Sequence, residues 1–442
     1  MGMLEKAQRM LERYPLCNHC LGRQFALLGY GLDDKKRGEA VKILLTMKAN
    51  ELALQGEKAG FSLLKTLATN GSFAMGTKVL KRLRKKSGTK RRCYLCEGKF
   101  SEIPRLVSGS IENLADYEYT TFLVGINLPT RVEEREDEFK AEFDVKHGEG
   151  MRNGFSRCIG KSISEITKKN ADYKTPEVVV IINPFTEKII LQVNPLYIGG
   201  TYNKLARGIP QSRWLCPKCR GEGCAECDWT GKMYPESVEE IISAPALEET
   251  DGGETAFHAA GREDVDVRML GRGRPFVVEV KKPKRRFIDL QRLTRTINAQ
   301  AEDKVKVQNL HFADKDAVRR LKRKEGAPKV YKAVVEFDRD VSDEELEILE
   351  KTLTNTMIRQ QTPLRVLHRR ADRVREKYIY ETKTKRLKPD QTEMRIRCQG
   401  GLYIKELITG DEGRTDPNVA ELIGTKAEPV RLDVLNIIPR GS

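Results

Sequence analysis

Four Cys-x-x-Cys pairs constrain the fold of this chain more than any other feature of its 442 residues. They account for eight of its ten cysteines: Cys17 with Cys20, Cys93 with Cys96, Cys216 with Cys219, and Cys224 with Cys227. Dense disulfides belong to small secreted domains, whereas this spacing in a long chain is typical of metal binding. Two such pairs close a tetrahedron around zinc and leave no position for water. The sequence therefore predicts structural Zn²⁺.

Spacing alone leaves the pairing of these motifs open. A zinc shared by the first two pairs would hold the N-terminal helix against a distant turn. The last two pairs lie together in "WLCPKCRGEGCAECDWTGK", whose glycines suit the tight turns of zinc knuckles. A pair from this cluster could instead complement one from the N-terminus. Four free buried cysteines are a weaker interpretation, given the spacing. A redox pair is also weaker, because no pair lies at a thioredoxin-like turn from strand to helix.

Length and charge set the class of protein. A chain of 442 residues exceeds what one core usually organises, so two or three domains are expected. No run of 18 apolar residues occurs, and the opening "MGMLEKAQRMLERYP" is a charged amphipathic helix, so we expect a cytoplasmic protein without a membrane partner. The net charge of +16 indicates an anionic polymer as partner, with nucleic acid as the first choice.

The first half of the chain changes character along its length. Helical spacing dominates up to about Leu67, and a basic stretch, "KVLKRLRKKSGTKRRC", follows as either a solvated face or an RNA-contacting patch. A strand, an amphipathic helix and two strands around an Asn-Pro turn come next, ending in a glycine break at "YIGGTY". We place the domain boundary near Pro235, which gives domains 1–235 and 236–442.

Three stretches of the second half carry recognisable patterns. "KVYKAVVEF", with Tyr331, is rich in strand-forming residues. "SDEELEILEKTLTNTMIRQQTP" opens with a capping box from Ser342 to Glu345, which predicts a helix ending before Pro363. "MRIRCQGGLYIKELITGDEGRTDPN" joins an alternating strand, through a Gly-Gly break, to a short helix that carries Lys405.

A fourth stretch, "HAAGREDVDVRMLGRGRPF", places two acids among arginines and glycines. Its "GRED" resembles the Gly-Arg-x-Asp loop of pseudouridine synthases, in which the aspartate is catalytic, here Asp264. That family's strand tyrosine corresponds to Tyr331, and its basic residue in a "YI-basic-x-L" segment corresponds to Lys405. Three motifs in the family's chain order are far more specific than any one of them.

The whole chain resembles the archaeal and eukaryotic tRNA pseudouridine synthases that carry a cysteine-rich, THUMP-like N-terminal domain. The resemblance includes "CNHCLGRQF", "GIPQSRW", "GREDVDVRMLGRGRPFVVEV" and "YIKELITGDEGRTDPN". It implies an α+β protein: a zinc-binding, THUMP-like α/β domain that binds RNA, then a catalytic domain with a mixed, mainly antiparallel sheet flanked by helices. It also implies action on tRNA, at uridines 54 and 55 of the TΨC arm. We expect a monomer that needs no catalytic cofactor.

Residue roles follow from the resemblance and from the chemistry. Asp264 would be the reacting carboxylate, kept ionised by Lys405, while Tyr331 would stack on the flipped uracil and assist proton transfer. Asp266 would only support them. Basic side chains near these motifs are candidates for tRNA contacts: Arg262, Arg207, Arg274, Lys282 and Arg285.

Two rival functions fit parts of the sequence. A metal-dependent nuclease could use Asp266, Glu279 and Lys281 around magnesium, although Tyr331 and Lys405 would then have no role. A tRNA-binding zinc protein without catalytic activity is the second rival. An ordinary turn aspartate would be the default interpretation of Asp264 alone, but the two companion motifs make it a poor one.

Overall fold

The computed structural model describes residues 2–323 and 326–438, which divide into two compact units, Met1–Asn194 and Pro195–Ser442. The helices of the first unit are α1 (Met3–Arg13), α2 (Asn18–Gly22), α3 (Asp34–Leu54), α4 (Lys58–Thr69), α5 (Ala74–Arg82), α6 (Ile103–Leu114), α7 (Thr130–Glu142) and α8 (Met151–Thr167). Its strands are β1 (Thr121–Ile126), β2 (Asn170–Ala171), β3 (Val178–Asn183) and β4 (Lys188–Val193).

The strands of the first unit form a mixed sheet in the order β2-β1-β3-β4. β1 lies parallel to β2 and β3, and β3 and β4 form an antiparallel hairpin. Alternate side chains of β3, at Val178, Val180 and Ile182, are fully buried, which is the period expected of a strand with one face in a core. Helix α8 packs on β1, and α6 packs on β4.

The second unit combines shorter helices with longer strands. Its helices are α9 (Val238–Thr250), α10 (Leu290–Gln300), α11 (Lys315–Arg323), α12 (Asp343–Leu353), α13 (Ile404–Thr409) and α14 (Val419–Ile423). Its strands are β5 (Leu196–Lys204), β6 (Glu254–Ala259), β7 (Arg268–Lys281), β8 (Val305–Ala313), β9 (Lys329–Phe337), β10 (Thr356–Gln361), β11 (Val374–Lys388), β12 (Gln391–Cys398), β13 (Thr415–Asp416) and β14 (Ala427–Ile437).

One large sheet organises the second unit, in the order β13-β10-β11-β12-β9-β14-β7-β5-β8, with β6 paired to β7. Its described pairs are antiparallel except for β14 with β7. The expectation of a mixed, mainly antiparallel sheet flanked by helices is confirmed. The parallel contact brings the start of β7, at Arg268 and Met269, against Asp433 and Val434 of the last strand.

The division between the units differs from the boundary expected near Pro235, because β5 belongs to the second unit. This strand lies between β7 and β8 in the large sheet. Gly199 and Gly200, which suggested a break in the chain, are paired residues of β5. A Cβ on Gly200 would come within 2.7 Å of the Leu310 side chain, so the absence of side chains serves close packing rather than a turn.

The helix expected to continue to Pro363 ends earlier, at Leu353. Its start is confirmed: the Ser342 hydroxyl accepts a hydrogen bond from the Glu345 amide, and the Glu345 carboxylate accepts one from the Ser342 amide. The second part of the stretch, Thr356–Gln361, forms β10, because β11 and β13 offer backbone partners on both sides. Within the described residues, no helix combines the length and the apolar character needed to cross a membrane.

Candidate active site

The Gly-Arg-Glu-Asp motif occupies the loop that joins β6 to β7, and backbone hydrogen bonds hold that loop in place. The amide of Ala260 donates to the Pro275 carbonyl at 3.0 Å, and that of Val267 donates to the Asp264 carbonyl at 3.1 Å. Gly261 has a φ of +81°, a conformation that glycine adopts without strain. Hydrogen bonds therefore fix the backbone of this loop, which we call the motif loop (residues 260–267).

A buried polar cluster lies beneath this loop. Tyr202, Lys204, Gln211, Glu263 and Arg274, which we call the floor, are each at most 8% exposed. Arg274 Nε lies 2.8 Å from Glu263 Oε2, and the Tyr202 hydroxyl donates to Glu263 Oε1 at 2.9 Å. Gln211 Nε2 donates to the Tyr202 hydroxyl at 2.7 Å and to the Gly261 carbonyl at 2.9 Å. The floor thus holds the motif in two ways: Tyr202 and Arg274 bind the side chain of Glu263, and Gln211 binds the backbone at Gly261.

Lys204, at the end of β5, fixes the reactive part of the loop. Its Nζ donates to the carbonyls of Ile209, Asp264 and Val265 at 2.7, 3.0 and 2.9 Å. Burial lowers the pKa of Lys204 to about 8, while nearby carboxylates oppose that shift. No local pattern marked this lysine, because its role depends on a loop about 60 residues later in the chain.

Two aspartates of the loop pair with two cations from later in the chain. We call these four residues the rim: Asp264, Asp266, Arg365 and Lys405. Lys405 Nζ contacts the two carboxylate oxygens of Asp266 at 2.8 and 2.7 Å, but lies 3.8 Å from Asp264 Oδ2. The nearer cation of Asp264 is Arg365, with Nη1 at 3.0 Å from Oδ2. The sequence predicted Lys405 as the partner of Asp264, whereas the structure gives Asp264 both cations and places Arg365 closer.

The pKa values of Asp266 and of the neighbouring Tyr331 shift in opposite directions. Partial burial raises the pKa of Asp266, but the hydrogen bond and charge of Lys405 outweigh burial, so the pKa falls below its ordinary value. Burial, followed by the neighbouring Cys398, raises the pKa of Tyr331 well above its usual value. Tyr331 therefore carries its proton at neutral pH and can donate a hydrogen bond.

The rim borders an open pocket of about 710 Å³. Asp264, Tyr331 and Lys405 all line it, so the structure brings the three motif residues together from distant parts of the chain. The rest of its positive lining consists of Arg262, Lys329, Arg365, Arg370, Arg375 and Lys377. A pocket of this volume and charge can receive a nucleotide with its phosphates.

The five predicted tRNA contacts have different surroundings. Arg262 is exposed at the pocket, with its guanidinium 5.9 Å from the centre of the Trp214 ring. The guanidinium of Arg207 is occupied by contacts within the protein. It donates hydrogen bonds to the carbonyls of Asp266 and Leu432 and pairs with Asp433 at 2.5 Å.

The prediction for Arg274 is corrected, because this residue is 1% exposed in its ion pair with Glu263 and cannot reach RNA. Regular alternation would place Arg272 and Arg274 on the same face, but β7 is irregular here: its register against β5 shifts between Tyr202 and Lys204, and Gly273 has a φ of +75°. Arg272 is therefore exposed while Arg274 is buried. Lys282 and Arg285 are exposed after β7 and are not among the pocket-lining residues.

The first two cysteine pairs meet in the core of the first unit. The sulfur atoms of Cys17, Cys20, Cys93 and Cys96 all lie within 4.8 Å of one another, and those of Cys17 and Cys96 are 3.7 Å apart. Three of the four residues are buried. Four thiolates at 2.3 Å from a tetrahedral zinc would be about 3.8 Å apart, so this group could hold a metal ion.

The other two pairs form a second group within the second unit. Cys216, Cys219, Cys224 and Cys227 also lie within 4.8 Å of one another, with sulfur separations of 3.7 to 3.8 Å for the closest pairs. Here Cys219 and Cys224 are only partly buried. The pairing that spacing left open is thus first with second and third with fourth.

The three residues proposed for a nuclease do not form a shared site. Asp266 pairs with Lys405, Glu279 lies 3.1 Å from His258 Nε2, and Lys281 pairs with Glu254 at 2.7 Å. Among the described residues, the groups of three or more potential metal ligands are the two cysteine groups. The geometry gives no support to two-carboxylate magnesium chemistry.

Comparison with known proteins identifies the family. The model for the Pus10 C-terminal region matches residues 197–438, more than half of the chain, and that for the archaeal Pus10 THUMP domain matches residues 107–183. The chain belongs to the Pus10 family. The THUMP-domain match lies within the first unit, from α6 to β3, and the C-terminal match begins in β5, where the second unit starts.

Curated Pus10 relatives cover almost the whole chain. The tRNA pseudouridine synthase Pus10 of Methanocaldococcus jannaschii is 44% identical over 97% of this chain and 93% of its own length. That of Methanopyrus kandleri is 38% identical over 99% of each, and that of Pyrococcus furiosus is 37% identical over 99% of this chain and 98% of its own. Among solved structures, a Cbf5-Nop10-Gar1 complex shares 16% identity over 45% of this chain and 44% of its own, with a TM-score of 0.29.

Proposed function

We propose that this Pus10 family member is a tRNA pseudouridine synthase that isomerises uridines 54 and 55 of the TΨC arm. The observation that carries the proposal is the meeting of Asp264, Tyr331 and Lys405 in one basic pocket. These residues come from three separate motifs, and the pocket combines one partly exposed carboxylate with two cations near it. Its relatives of similar length bear the name tRNA pseudouridine synthase.

The reaction requires a carboxylate and no added atom. The bond between uracil N1 and ribose C1′ breaks, the uracil turns, and C5 bonds to C1′ while the C5 proton is lost and N1 gains one. An ionised carboxylate beside the sugar can assist departure of the base as nucleophile or base. Asp264 is suited to this role because its carboxylate lies at the pocket with two cations beside it, Arg365 at 3.0 Å and Lys405 at 3.8 Å.

Tyr331 and the basic lining complete the proposed site. Tyr331, which holds its proton at neutral pH, would stack on the extruded uracil and donate a hydrogen bond. Arg262, Arg370, Arg375 and Lys377 would bind phosphates on either side of the extruded nucleotide. The basic helix end and loop of the first unit, around Lys81, Arg84, Lys85 and Lys86, would add salt-sensitive contacts to the tRNA backbone.

The decisive experiment is Asp264→Asn, which keeps the side-chain shape and removes the charge. We expect pseudouridine formation on an unmodified tRNA transcript to fall by more than about 1,000-fold, with tRNA affinity retained. The control is Asp266→Asn, two residues away, which should keep appreciable activity. Near wild-type turnover by Asp264→Asn would refute the assignment, and magnesium-dependent strand cleavage by the wild type would favour the nuclease.

We also propose that both cysteine groups hold structural Zn²⁺. Sulfur separations of 3.7 to 3.8 Å match a tetrahedral thiolate site, and four cysteines leave no open position for chemistry. Metal analysis of the purified protein should find two equivalents of zinc. Cys93→Ser should lower zinc content and thermal stability, whereas the matched Cys158→Ser, at a cysteine outside both groups, should change neither the zinc content nor its stoichiometry.

A further inference from the structure

Arg365 contacts two carboxylates at once. It lies in the segment 362–373 between β10 and β11, and its Nη1 is 3.0 Å from Asp264 Oδ2. Its Nε donates to Glu406 Oε1 at 2.5 Å. The planar guanidinium therefore bridges the proposed catalytic carboxylate and a second acid on α13, a geometry that the point charge of a lysine cannot reproduce.

Glu406 is an unusual acid for this place. Its side chain is 5% exposed, and its Oε2 atom is buried without a hydrogen-bond partner among the described residues. A buried carboxylate is costly unless a cation compensates it, and Arg365 is the cation that contacts Glu406. The preceding residue in the chain is Lys405, which lines the pocket, whereas Glu406 is buried behind Arg365 and is not a lining residue.

Other contacts hold the segment of Arg365 against α13 and the loop after it. Arg414 Nη2 donates to the Thr362 carbonyl at 2.8 Å, and the amide of Leu364 donates to Asp411 at 3.1 Å. The Arg365 guanidinium also lies 5.9 Å from the centre of the Tyr403 ring, just before α13. These contacts hold the backbone just before Arg365, and Glu406 holds the Nε edge of its guanidinium.

We propose that Glu406 is a positioning residue that acts through Arg365 to orient the carboxylate of Asp264. This inference rests on the proposed function and adds two residues to which the sequence motifs assign no role. Lys405 cannot substitute for the bridge, because its shortest contacts are with Asp266. Arg365, held at one edge by Glu406, presents its other edge to Asp264 and fixes that carboxylate in one orientation.

The first test separates turnover from binding. Glu406→Gln should lower the single-turnover rate of pseudouridine formation by about tenfold, and Arg365→Met by about 100-fold, because small displacements of a reacting group are that costly. The tRNA dissociation constant should change less than about twofold in Glu406→Gln, since Glu406 is buried. The control is Glu347→Gln, the same change in an exposed pair with Lys351, which should leave the rate unchanged.

The second test asks whether Glu406 acts through Arg365. The double variant Arg365→Met with Glu406→Gln should have the rate of Arg365→Met alone, because without the guanidinium the acid has nothing to position. Arg365→Lys keeps a charge beside Glu406, so its single-turnover rate should lie between those of wild type and Arg365→Met. This variant provides an independent measurement if another variant folds poorly. Multiplicative losses in the double variant, or full activity of Glu406→Gln, would overturn the proposal. If Asp264→Asn is inactive while Glu406→Gln is fully active, the proposed function stands and this inference fails.

Discussion

The floor and the rim of the pocket are made from the same kinds of side chain in opposite environments. The floor pairs an arginine with a glutamate and uses a lysine, each at most 5% exposed. The rim pairs an arginine and a lysine with two aspartates, whose side chains are 36% and 63% exposed. The charged groups of the floor contact one another and loop carbonyls, whereas Asp264, Arg365 and Lys405 of the rim line the pocket that a substrate would enter.

This difference separates stability from catalysis. A buried pair that loses one partner leaves an uncompensated charge inside the protein, so changes in the floor should act mainly on folding. An exposed pair is worth little to folding because water replaces the lost partner, so changes in the rim should act mainly on turnover. The predictions below test whether the two regions divide in this way.

The largest effect should come from Arg274→Met. Removing the guanidinium leaves Glu263 buried without its cation, in contact with the Tyr202 hydroxyl, and should lower the free energy of unfolding by about 3–5 kcal/mol. Urea denaturation would measure it. The control is Arg319→Met, which removes an exposed pair with Asp316 and should cost less than about 1 kcal/mol. Equal small losses in the two variants would abolish the distinction between floor and rim.

A smaller effect should appear in the pH dependence of Lys204. Burial lowers the pKa of this lysine from 10.5 to about 8 in the folded protein. Between these two pH values the unfolded chain holds a proton that the folded protein has released, so stability rises with pH in this window. Below pH 8 both states are protonated, and the folded protein bears the whole cost of the buried charge, on the order of 3 kcal/mol.

The measurement compares the free energy of unfolding of wild type and Lys204→Met at pH 7.5 and pH 10. The difference between the two proteins should shift in favour of wild type as the pH rises, because only wild type has this titrating group. Lys351→Met, at an exposed lysine, should show a difference from wild type that does not change with pH. A constant difference for Lys204→Met would mean that the floor does not bury a charge.

The sequence predicted the rim better than the floor, for a physical reason. Asp264, Tyr331 and Lys405 lie in short motifs that local sequence reveals, and the two-residue spacing of the cysteines indicated metal binding while leaving their pairing to the fold. Lys204, Arg365 and Glu406 owe their roles to partners that only the fold brings near.

The errors have the same origin. Arg274 was predicted to bind RNA from its basic surroundings, but its side chain is buried in an ion pair with Glu263. The stretch Thr356–Gln361 was predicted as helix, but partners on two sides make it a strand. Gly199 and Gly200 suggested a break, but both pair within β5, where the β8 side chains of His311 and Leu310 pack closely over them. In each case a tertiary neighbour outweighed a local preference.

The smallest effect should come from Lys405→Met in the rim. Asp264 would keep Arg365 at 3.0 Å, while Asp266 would lose its contacts with Lys405 at 2.7 and 2.8 Å. We therefore expect single-turnover pseudouridine formation to fall by about tenfold, equivalent to ~1.4 kcal/mol. The free energy of unfolding should change by less than about 1 kcal/mol, since Asp266 is exposed to water. A loss as large as that of Asp264→Asn would make Lys405 the main partner of the catalytic carboxylate, and a large loss of stability would place Lys405 with the floor.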